Sequence, residues 1–278
     1  MYSTLVDAAT LAVQLEESDW VVLDCRFDLA DKSAGERRYR EGHIPGARFA
    51  DLERDLSDPV TPASGRHPLP QADALAKRFG AWGIDDRVQV VVYDDAGGGM
   101  AVRCWWSLRW LGHRAVALLD GGLQAWSQQG YPLSREIPAP APRNFVARAC
   151  EKPVSTEEIL NDPTLLLLDA RTAVRYRGEE EPIDPVAGHI PGAVSAPFDA
   201  NLDAEGRFRS PEALRARFLA LLNGRDPRTV VHYCGSGVTA CHNLLAMEHA
   251  GLSGSRLYPG FWSEWIRDPG RSIALGEE

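Results

Sequence analysis

The sequence repeats itself, and this repeat constrains the fold more than any other feature. Four short motifs of the first half occur again, in the same order, in the second half. The pairs are WVVLDCR (20–26) with LLLLDAR (165–171), GHIPGA (42–47) with GHIPGA (188–193), VQVVVYD (88–94) with RTVVHYC (228–234), and GGLQAW (121–126) with GFWSEW (260–265). Four ordered matches indicate two copies of one structural unit.

Each copy alternates short apolar runs with helical stretches. The apolar runs, typical of strands buried on both faces of a parallel sheet, are Trp20–Leu23, Val88–Tyr93, Ala115–Leu119, Leu165–Leu168 and Thr229–Tyr233. The helical stretches are Gln71–Phe79, Met100–Leu111, Pro211–Leu222 and Val238–Ala250. This alternation predicts an α/β fold in each copy, a parallel sheet flanked by helices.

The chain has 278 residues, enough for two domains with separate cores. The stretch from about 134 to 153 contains IPAPAPR and little periodicity, and its prolines favour an extended connector. We therefore predict a first domain over 1–138, a linker over 139–152 and a second domain over 153–278.

Charge and composition exclude several classes of function. The net charge of −9 does not suit nucleic-acid binding, which needs clustered Lys and Arg. No apolar run reaches the roughly 20 residues that a membrane helix needs, and the N-terminus lacks a basic signal region. Five scattered cysteines without a CxxC pair argue against a zinc site and are typical of the reducing cytoplasm.

Cys234 lies where a buried strand ends and a short glycine-containing loop leads into a helix. Such a loop directs backbone N–H groups inward at the positive end of the helix, which favours the thiolate form of the cysteine. The alternative is an inert structural cysteine. The first copy has Asp94 at the equivalent position, in a loop two residues longer. The second copy is therefore predicted to be reactive and the first to be a scaffold.

Phosphate chemistry is disfavoured by the same loop. Cysteine phosphatases place an arginine six residues after the cysteine to clamp the phosphate oxygens. Ala240 stands at that position here.

Together, the GHIPGA segments, the paired LDCR and LDAR strand ends and the CGSGVTA loop resemble the rhodanese superfamily, specifically its tandem-domain sulfurtransferases. The resemblance covers residues 3 to 270. It implies two rhodanese-like domains, a silent first domain, and Cys234 as a nucleophile that carries sulfur as a persulfide. It implies no metal and no organic cofactor.

The loop also bears on the sulfur donor. CGSGVT is similar to the loop of the 3-mercaptopyruvate sulfurtransferases, whereas thiosulfate sulfurtransferases have basic residues there, as in CRKGVT. A thiosulfate sulfurtransferase with an uncharged loop is the alternative within the class. A non-catalytic sulfur carrier or redox-sensing binding protein is the alternative outside it. The expected partners are a small sulfur donor and a thiol acceptor such as reduced thioredoxin, or cyanide.

The resemblance also implies which residues bind the donor. Arg175 matches the arginine that holds the substrate anion, and Arg66 adds positive charge at the same site. The loop residues expected to bind the donor or its sulfur are Gly235, Gly237, Val238 and Thr239. The sequence departs from the 3-mercaptopyruvate pattern before the second GHIPGA, where Ile183 and Asp184 stand in place of a second arginine.

A proton relay is the last implied feature. Ser236 and His67 match the first two members of a Ser–His–Asp relay, and Glu53 stands where the Asp would be. The relay would deliver a proton to the leaving enolate. His43 and His189 occur in both copies although only one copy has the cysteine, so we interpret them as structural.

Overall fold

The structure is a computed structural model that describes residues 1–148, 150 and 152–277. It divides into two compact units. The first unit consists of Met1–Asp58, Pro70–Cys150 and Ala204–Arg207, and the second of Pro59–Leu69, Glu151–Asp203 and Phe208–Glu278. A segment from the first half of the sequence thus packs with the second unit.

The first unit is a five-stranded parallel sheet with helices around it. Its elements are β1 (Leu5–Val6), α1 (Ala8–Gln14), β2 (Trp20–Asp24), α2 (Ala34–Glu41), β3 (Arg48–Phe49), α3 (Ala72–Ala81), β4 (Gln89–Tyr93), α4 (Val102–Trp110), β5 (Val116–Leu119) and α5 (Gly122–Gln128). The strand order is β1-β5-β4-β2-β3, and all pairs are parallel. Every residue of β4 is buried, as its continuous apolar run predicts.

The second unit repeats this plan with four strands. Its elements are α6 (Thr156–Asn161), β6 (Leu166–Asp169), α7 (Ala173–Tyr176), β7 (Val194–Ser195), α8 (Pro211–Leu222), β8 (Val230–Tyr233), α9 (Ala240–His249), β9 (Arg256–Leu257) and α10 (Phe261–Trp265), with 3-10 turns at Phe198–Asn201 and Pro227–Thr229. The strand order is β7-β6-β8-β9, again parallel throughout. The predicted fold class is confirmed.

Two predicted helices begin two residues later than the sequence indicates, for one reason. The helix expected from Met100 starts at Val102, and the one expected from Val238 starts at Ala240. In both units the preceding residues form the loop after the central strand, and their backbone follows that loop. In the first unit the N–H of Met100 donates to the Asp94 carboxylate at 2.7 Å.

A buried ion pair ties the end of β6 to the GHIPGA turn. Arg171 donates to the Asp169 carboxylate at 2.6 Å and to the carbonyl of Gly188 at 2.6 Å. The His189 ring stacks on Tyr176 with centroids 3.8 Å apart, and its Nδ1 is 2.8 Å from the Tyr176 carbonyl oxygen. The equivalent contacts in the first unit are made by Asp24, Arg26, Gly42, His43 and Tyr39. The structural interpretation of both histidines is confirmed.

The predicted linker, 139–152, is described except at residues 149 and 151, which lie outside the described residues. Its described residues up to Cys150 belong to the first unit. The N–H of Arg143 donates to Gly80 O and that of Arg148 to Leu111 O, both at 2.8 Å. The predicted domain boundaries stay a prediction.

Neither unit has a helix, within the described ranges, whose length and apolar character would let it cross a bilayer.

His232 on β8 gives the second unit a specific acid sensitivity. Its side chain is fully buried, and neither ring nitrogen has a hydrogen-bond partner among the described residues. Burial, assisted by the charge of Arg217, lowers the pKa of His232 from 6.5 to about 3. The folded protein therefore keeps this imidazole neutral between pH 6.5 and 3, while the unfolded chain takes up a proton.

We therefore expect the free energy of unfolding to fall as the pH drops below 6.5, with His232 contributing roughly 2 kcal/mol of that loss at pH 5. His232→Val, which installs the residue that the first unit has at the equivalent position (Val92), should reduce the loss between pH 7 and pH 5 by that amount. Urea unfolding of both proteins at the two pH values measures it. An equal loss in the variant would contradict the assignment.

Candidate active site

The loop after β8 holds the sulfur of Cys234 against a backbone amide. Cys234 directly follows Tyr233, and five residues separate it from α9. Its side chain is buried, with 2% of the residue exposed, and the N–H of Gly237 donates to its Sγ at 3.1 Å. This amide, together with the N-terminal end of α9, favours negative charge on the sulfur.

Gly237 is required at its position for two reasons. Its φ of +84° lies in the left-handed region, which residues with a Cβ rarely adopt. A Cβ on Gly237 would also lie 1.8 Å from two ring carbons of Phe261, so a larger residue cannot fit. The Phe261 ring therefore packs against one side of the loop at Gly237.

The first turn of α10 fixes two carbonyl groups of the same loop. The N–H of Trp262 donates to the carbonyl oxygen of Cys234 at 2.9 Å, and that of Ser263 donates to Gly235 O at 3.0 Å. These two bonds set the orientation of the two peptide groups that flank Gly235, Cys234–Gly235 and Gly235–Ser236.

Two guanidinium groups converge on the residue that follows the cysteine. A Cβ placed on Gly235 would lie 3.0 Å from Nη2 of Arg66 and 3.4 Å from Nη2 of Arg175. Arg175 extends from α7, while Arg66 comes from the 59–69 segment that packs with the second unit. The N–H of Arg66 donates to Ser263 Oγ at 3.1 Å, which attaches this segment to α10. The arrangement suits an anion bound beside the sulfur.

Two buried carboxylates orient these arginines. Asp184 accepts hydrogen bonds from Arg66 and, at 3.3 Å, from Arg175. Glu181 accepts from Arg175 at 2.7 Å and from Arg171 at 3.3 Å. Burial alone would raise the pKa of Glu181, but the hydrogen bonds from Arg175 and from backbone amides hold it below its ordinary value. The arginines are thus fixed before any donor binds.

Arg66 and Arg175 lie beside the same loop, as the resemblance implies, but the sequence alone does not indicate the two carboxylates that hold them. Asp184 was noted only because it replaces an arginine, whereas the structure shows it bridging two of them. The signal available was the acidic EEEPIDP run close to Arg175. Arg177, two residues away, pairs instead with Glu179 at 2.7 Å.

The three residues of the predicted relay fall in both units. Ser236 and His67 are buried in the second unit. Glu53 belongs to the first unit, where its carboxylate pairs with Lys32 at 2.7 Å. Val238 is buried, and Thr239 directly precedes α9. The roles of all these residues stay predictions.

The equivalent loop of the first unit contains its own anion. The buried carboxylate of Asp94 accepts four backbone N–H groups at 2.7–2.8 Å, from residues 96, 98, 100 and 101. Burial raises the pKa of Asp94, although these hydrogen bonds oppose the shift. Seven residues separate Asp94 from α4, two more than in the Cys234 loop. This loop has no thiol at its head, so it offers no nucleophile.

No group of three or more His, Cys, Asp or Glu side chains is arranged to hold a metal ion anywhere in the part of the chain that the structure describes.

Comparison with known proteins agrees with this geometry. The family model described as "Rhodanese-like domain" matches residues 7–129 and 153–268. A Pseudomonas aeruginosa protein named as a probable 3-mercaptopyruvate sulfurtransferase is 53% identical over 98% of this chain and 98% of its own. A thiosulfate sulfurtransferase of Rattus norvegicus is 34% identical over 96% and 93% of the two chains.

Among solved structures, the 3-mercaptopyruvate sulfurtransferase from Leishmania major matches with a TM-score of 0.85 and 31% identity, covering 96% of this chain and 76% of its own. The predicted resemblance is therefore confirmed. The chain belongs to the rhodanese family, with one rhodanese-like domain in each half, and is an enzyme of the sulfurtransferase class.

Proposed function

We propose that the protein transfers sulfur from 3-mercaptopyruvate, through a persulfide on Cys234, to a thiol acceptor or to cyanide. The observation that carries the proposal is the placement of the Cys234 sulfur at the Gly237 amide, next to the guanidinium groups of Arg66 and Arg175. The names of the Pseudomonas aeruginosa and Leishmania major proteins support the choice of donor.

In the first half-reaction the Cys234 thiolate attacks the thiol sulfur of the donor. The new S–S bond forms as the C–S bond of the donor breaks, and the electron pair goes to the enolate of pyruvate. The enolate takes up a proton and the persulfide loses one, so that protons balance. The Gly237 amide and the loop amides around it stabilise the negative terminal sulfur.

Arg66 and Arg175 bind the carboxylate of the donor in this proposal. A guanidinium group presents paired N–H donors that match a carboxylate. Asp184 already bridges the two arginines, so their side chains are ordered and lose little freedom when the donor binds.

Ser236 and His67 supply the proton for the enolate. Both are buried in the unit that carries Cys234, where general acid catalysis is effective because water is largely excluded. Glu53 is proposed as the carboxylate that completes the relay.

In the second half-reaction an acceptor removes the terminal sulfur and regenerates the thiolate. Cyanide leaves as thiocyanate, and a thiol leaves as a persulfide. We propose reduced thioredoxin as the physiological acceptor, because its second thiol releases the sulfur as hydrosulfide.

All five cysteines of the chain are free, which supports a site of action in the reducing cytoplasm.

Thiosulfate is the second candidate donor, and one observation favours it. Two guanidinium groups beside the nucleophile attract a compact dianion as well as a carboxylate. The difference lies in the leaving group, since sulfite departs as a stable anion whereas an enolate needs a proton.

Replacement of the nucleophile gives the first prediction. Cys234→Ser should lower kcat/KM by at least about a thousandfold with either donor, because no persulfide can form. Mass spectrometry after exposure to the donor should find one added sulfur in the parent and none in the variant. Cys150→Ser, which removes the exposed thiol, is the control and should keep full activity. Turnover by Cys234→Ser would contradict the assignment.

The relay makes donor choice testable. Ser236→Ala should lower kcat for 3-mercaptopyruvate by about a hundredfold but hardly change kcat for thiosulfate, since only the enolate needs a proton. Steady-state kinetics with both donors measures the difference. Ser255→Ala, at another buried serine of the second unit, is the matched control. Equal effects on both donors would remove the relay from the mechanism.

The arginine pair is tested by binding. Arg66→Ala and Arg175→Ala should each raise KM for 3-mercaptopyruvate by about tenfold or more, the effect expected for losing a charged hydrogen bond. Arg177→Ala, whose side chain pairs with Glu179, should leave KM unchanged. If Arg66→Ala behaves like Arg177→Ala, the donor carboxylate is bound without Arg66.

A further inference from the structure

Phe261 has a backbone conformation that is unusual for an aromatic residue. Its φ is +57°, in the left-handed region, and only 1% of the residue is exposed. A bulky side chain there is strained, and such strain persists only where the surroundings enforce it. The equivalent residue of the first unit, Gly122, has a φ of +56°. Both units therefore have a left-handed backbone conformation at this position. The first unit has glycine there, whereas the second has a residue with a bulky side chain.

The aromatic ring of Phe261 lies directly against Gly237, the residue whose amide donates to the nucleophile. Its ring carbons occupy the position that a Cβ of Gly237 would take. The N–H of Gly237 donates to Cys234 Sγ at 3.1 Å. The next residue after Phe261, Trp262, donates its N–H to the carbonyl of Cys234 at 2.9 Å. Phe261 thus contacts Gly237, which donates to the cysteine sulfur, and directly precedes Trp262, which donates to the cysteine carbonyl.

The first unit shows how the same loop is held without a ring. Leu123, after Gly122, donates its N–H to Asp94 O at 2.9 Å, so the backbone anchor is retained. There the carboxylate of Asp94 itself gathers four amides and fixes the loop. The Cys234 sulfur accepts a hydrogen bond from the Gly237 amide at 3.1 Å, which does not hold the loop as the four hydrogen bonds to Asp94 do. The Cys234 loop therefore depends on contacts with residues outside it.

We propose that Phe261 is a positioning residue whose ring presses on Gly237 and keeps the Gly237 N–H directed at the Cys234 sulfur. Held in this orientation, the Gly237 N–H stabilises negative charge on the thiolate and, after the first transfer, on the persulfide. This role goes beyond the proposed function because it concerns the nucleophile itself and holds for any sulfur donor.

The test uses Phe261→Gly in the full-length Cys150→Ser protein, which lacks the exposed thiol. Glycine at this position reproduces the residue that the first unit already has at the same φ, so the backbone can keep its conformation. The rate of Cys234 alkylation by iodoacetamide is followed against pH by mass spectrometry of the Cys234 peptide. We expect the midpoint of the pH profile to rise by about one pH unit, the effect of weakening one charge-assisted hydrogen bond. We also expect kcat to fall about tenfold while KM changes less than twofold.

Two further variants separate the ring from the backbone. Phe261→Ala keeps the left-handed strain and loses the ring, so its profile should shift as far as that of Phe261→Gly. Gly122→Ala introduces backbone strain in the first unit, together with a close contact between the new Cβ and the carbonyl oxygen of Asp94, and should lower Tm without moving the Cys234 profile.

A profile of Phe261→Gly that superimposes on the parent profile would overturn the proposal. So would a shift in Phe261→Ala alone, which would assign the effect to backbone strain. Alkylation consumes no sulfur donor. A failure of the proposed donor chemistry would therefore appear as missing turnover in the parent protein, with the alkylation result unaffected.

Discussion

The buried ion pair of Asp169 and Arg171 is the interaction on which both the second sheet and its candidate site depend. At most 1% of either side chain is exposed, and a buried charge that loses its partner costs several kcal/mol. Burial alone would lower the pKa of Arg171, but the pairing with Asp169 raises it, so the guanidinium stays charged. The same guanidinium donates to Gly188 in the GHIPGA turn and to Glu181, which in turn holds Arg175. Scaffold and anion-binding groups therefore form one continuous network.

The two units use one loop architecture for opposite purposes. In both, a backbone N–H from the first turn of a short helix donates to the carbonyl of the residue that heads the loop, from Leu123 to Asp94 and from Trp262 to Cys234. In the first unit the head residue fills the ring of amides with its own carboxylate, and the loop is complete without any ligand. In the second unit the head residue offers a sulfur atom that accepts from the Gly237 amide. A loop whose amides bind its own carboxylate is stable without a ligand. A loop headed by a cysteine instead presents a nucleophile that can react with an external sulfur donor.

Most of the fold could be predicted because its signals are local. A strand buried on both faces must be apolar throughout, and a loop that ends in a helix needs glycine where φ is positive. That Arg66 and Arg175 lie at one site was expected only from the resemblance to the family, because no local signal indicates it. Arg66 is 118 positions from its partner Asp184, and it lies in the half of the sequence that otherwise forms the first unit. Periodicity and motif spacing carry no information on which unit such a segment joins. The roles of Glu181 and Asp184 depend on that same convergence.

The repeat supplies an internal reference for judging each unusual residue of the second unit. Three equivalent positions differ in a way that costs the second unit stability, namely Asp94 and Cys234, Val92 and His232, and Gly122 and Phe261. In each pair the first unit has the residue that satisfies the fold most easily: a carboxylate with all its amides, an apolar strand residue, a glycine at positive φ. The second unit has a buried imidazole and a thiol at the end of β8, and a strained aromatic residue packed against the loop that follows. Departures from the easier choice are expected where chemistry, rather than stability, sets the residue. Their concentration around one strand end distinguishes the unit that carries the nucleophile from the unit that serves as a scaffold.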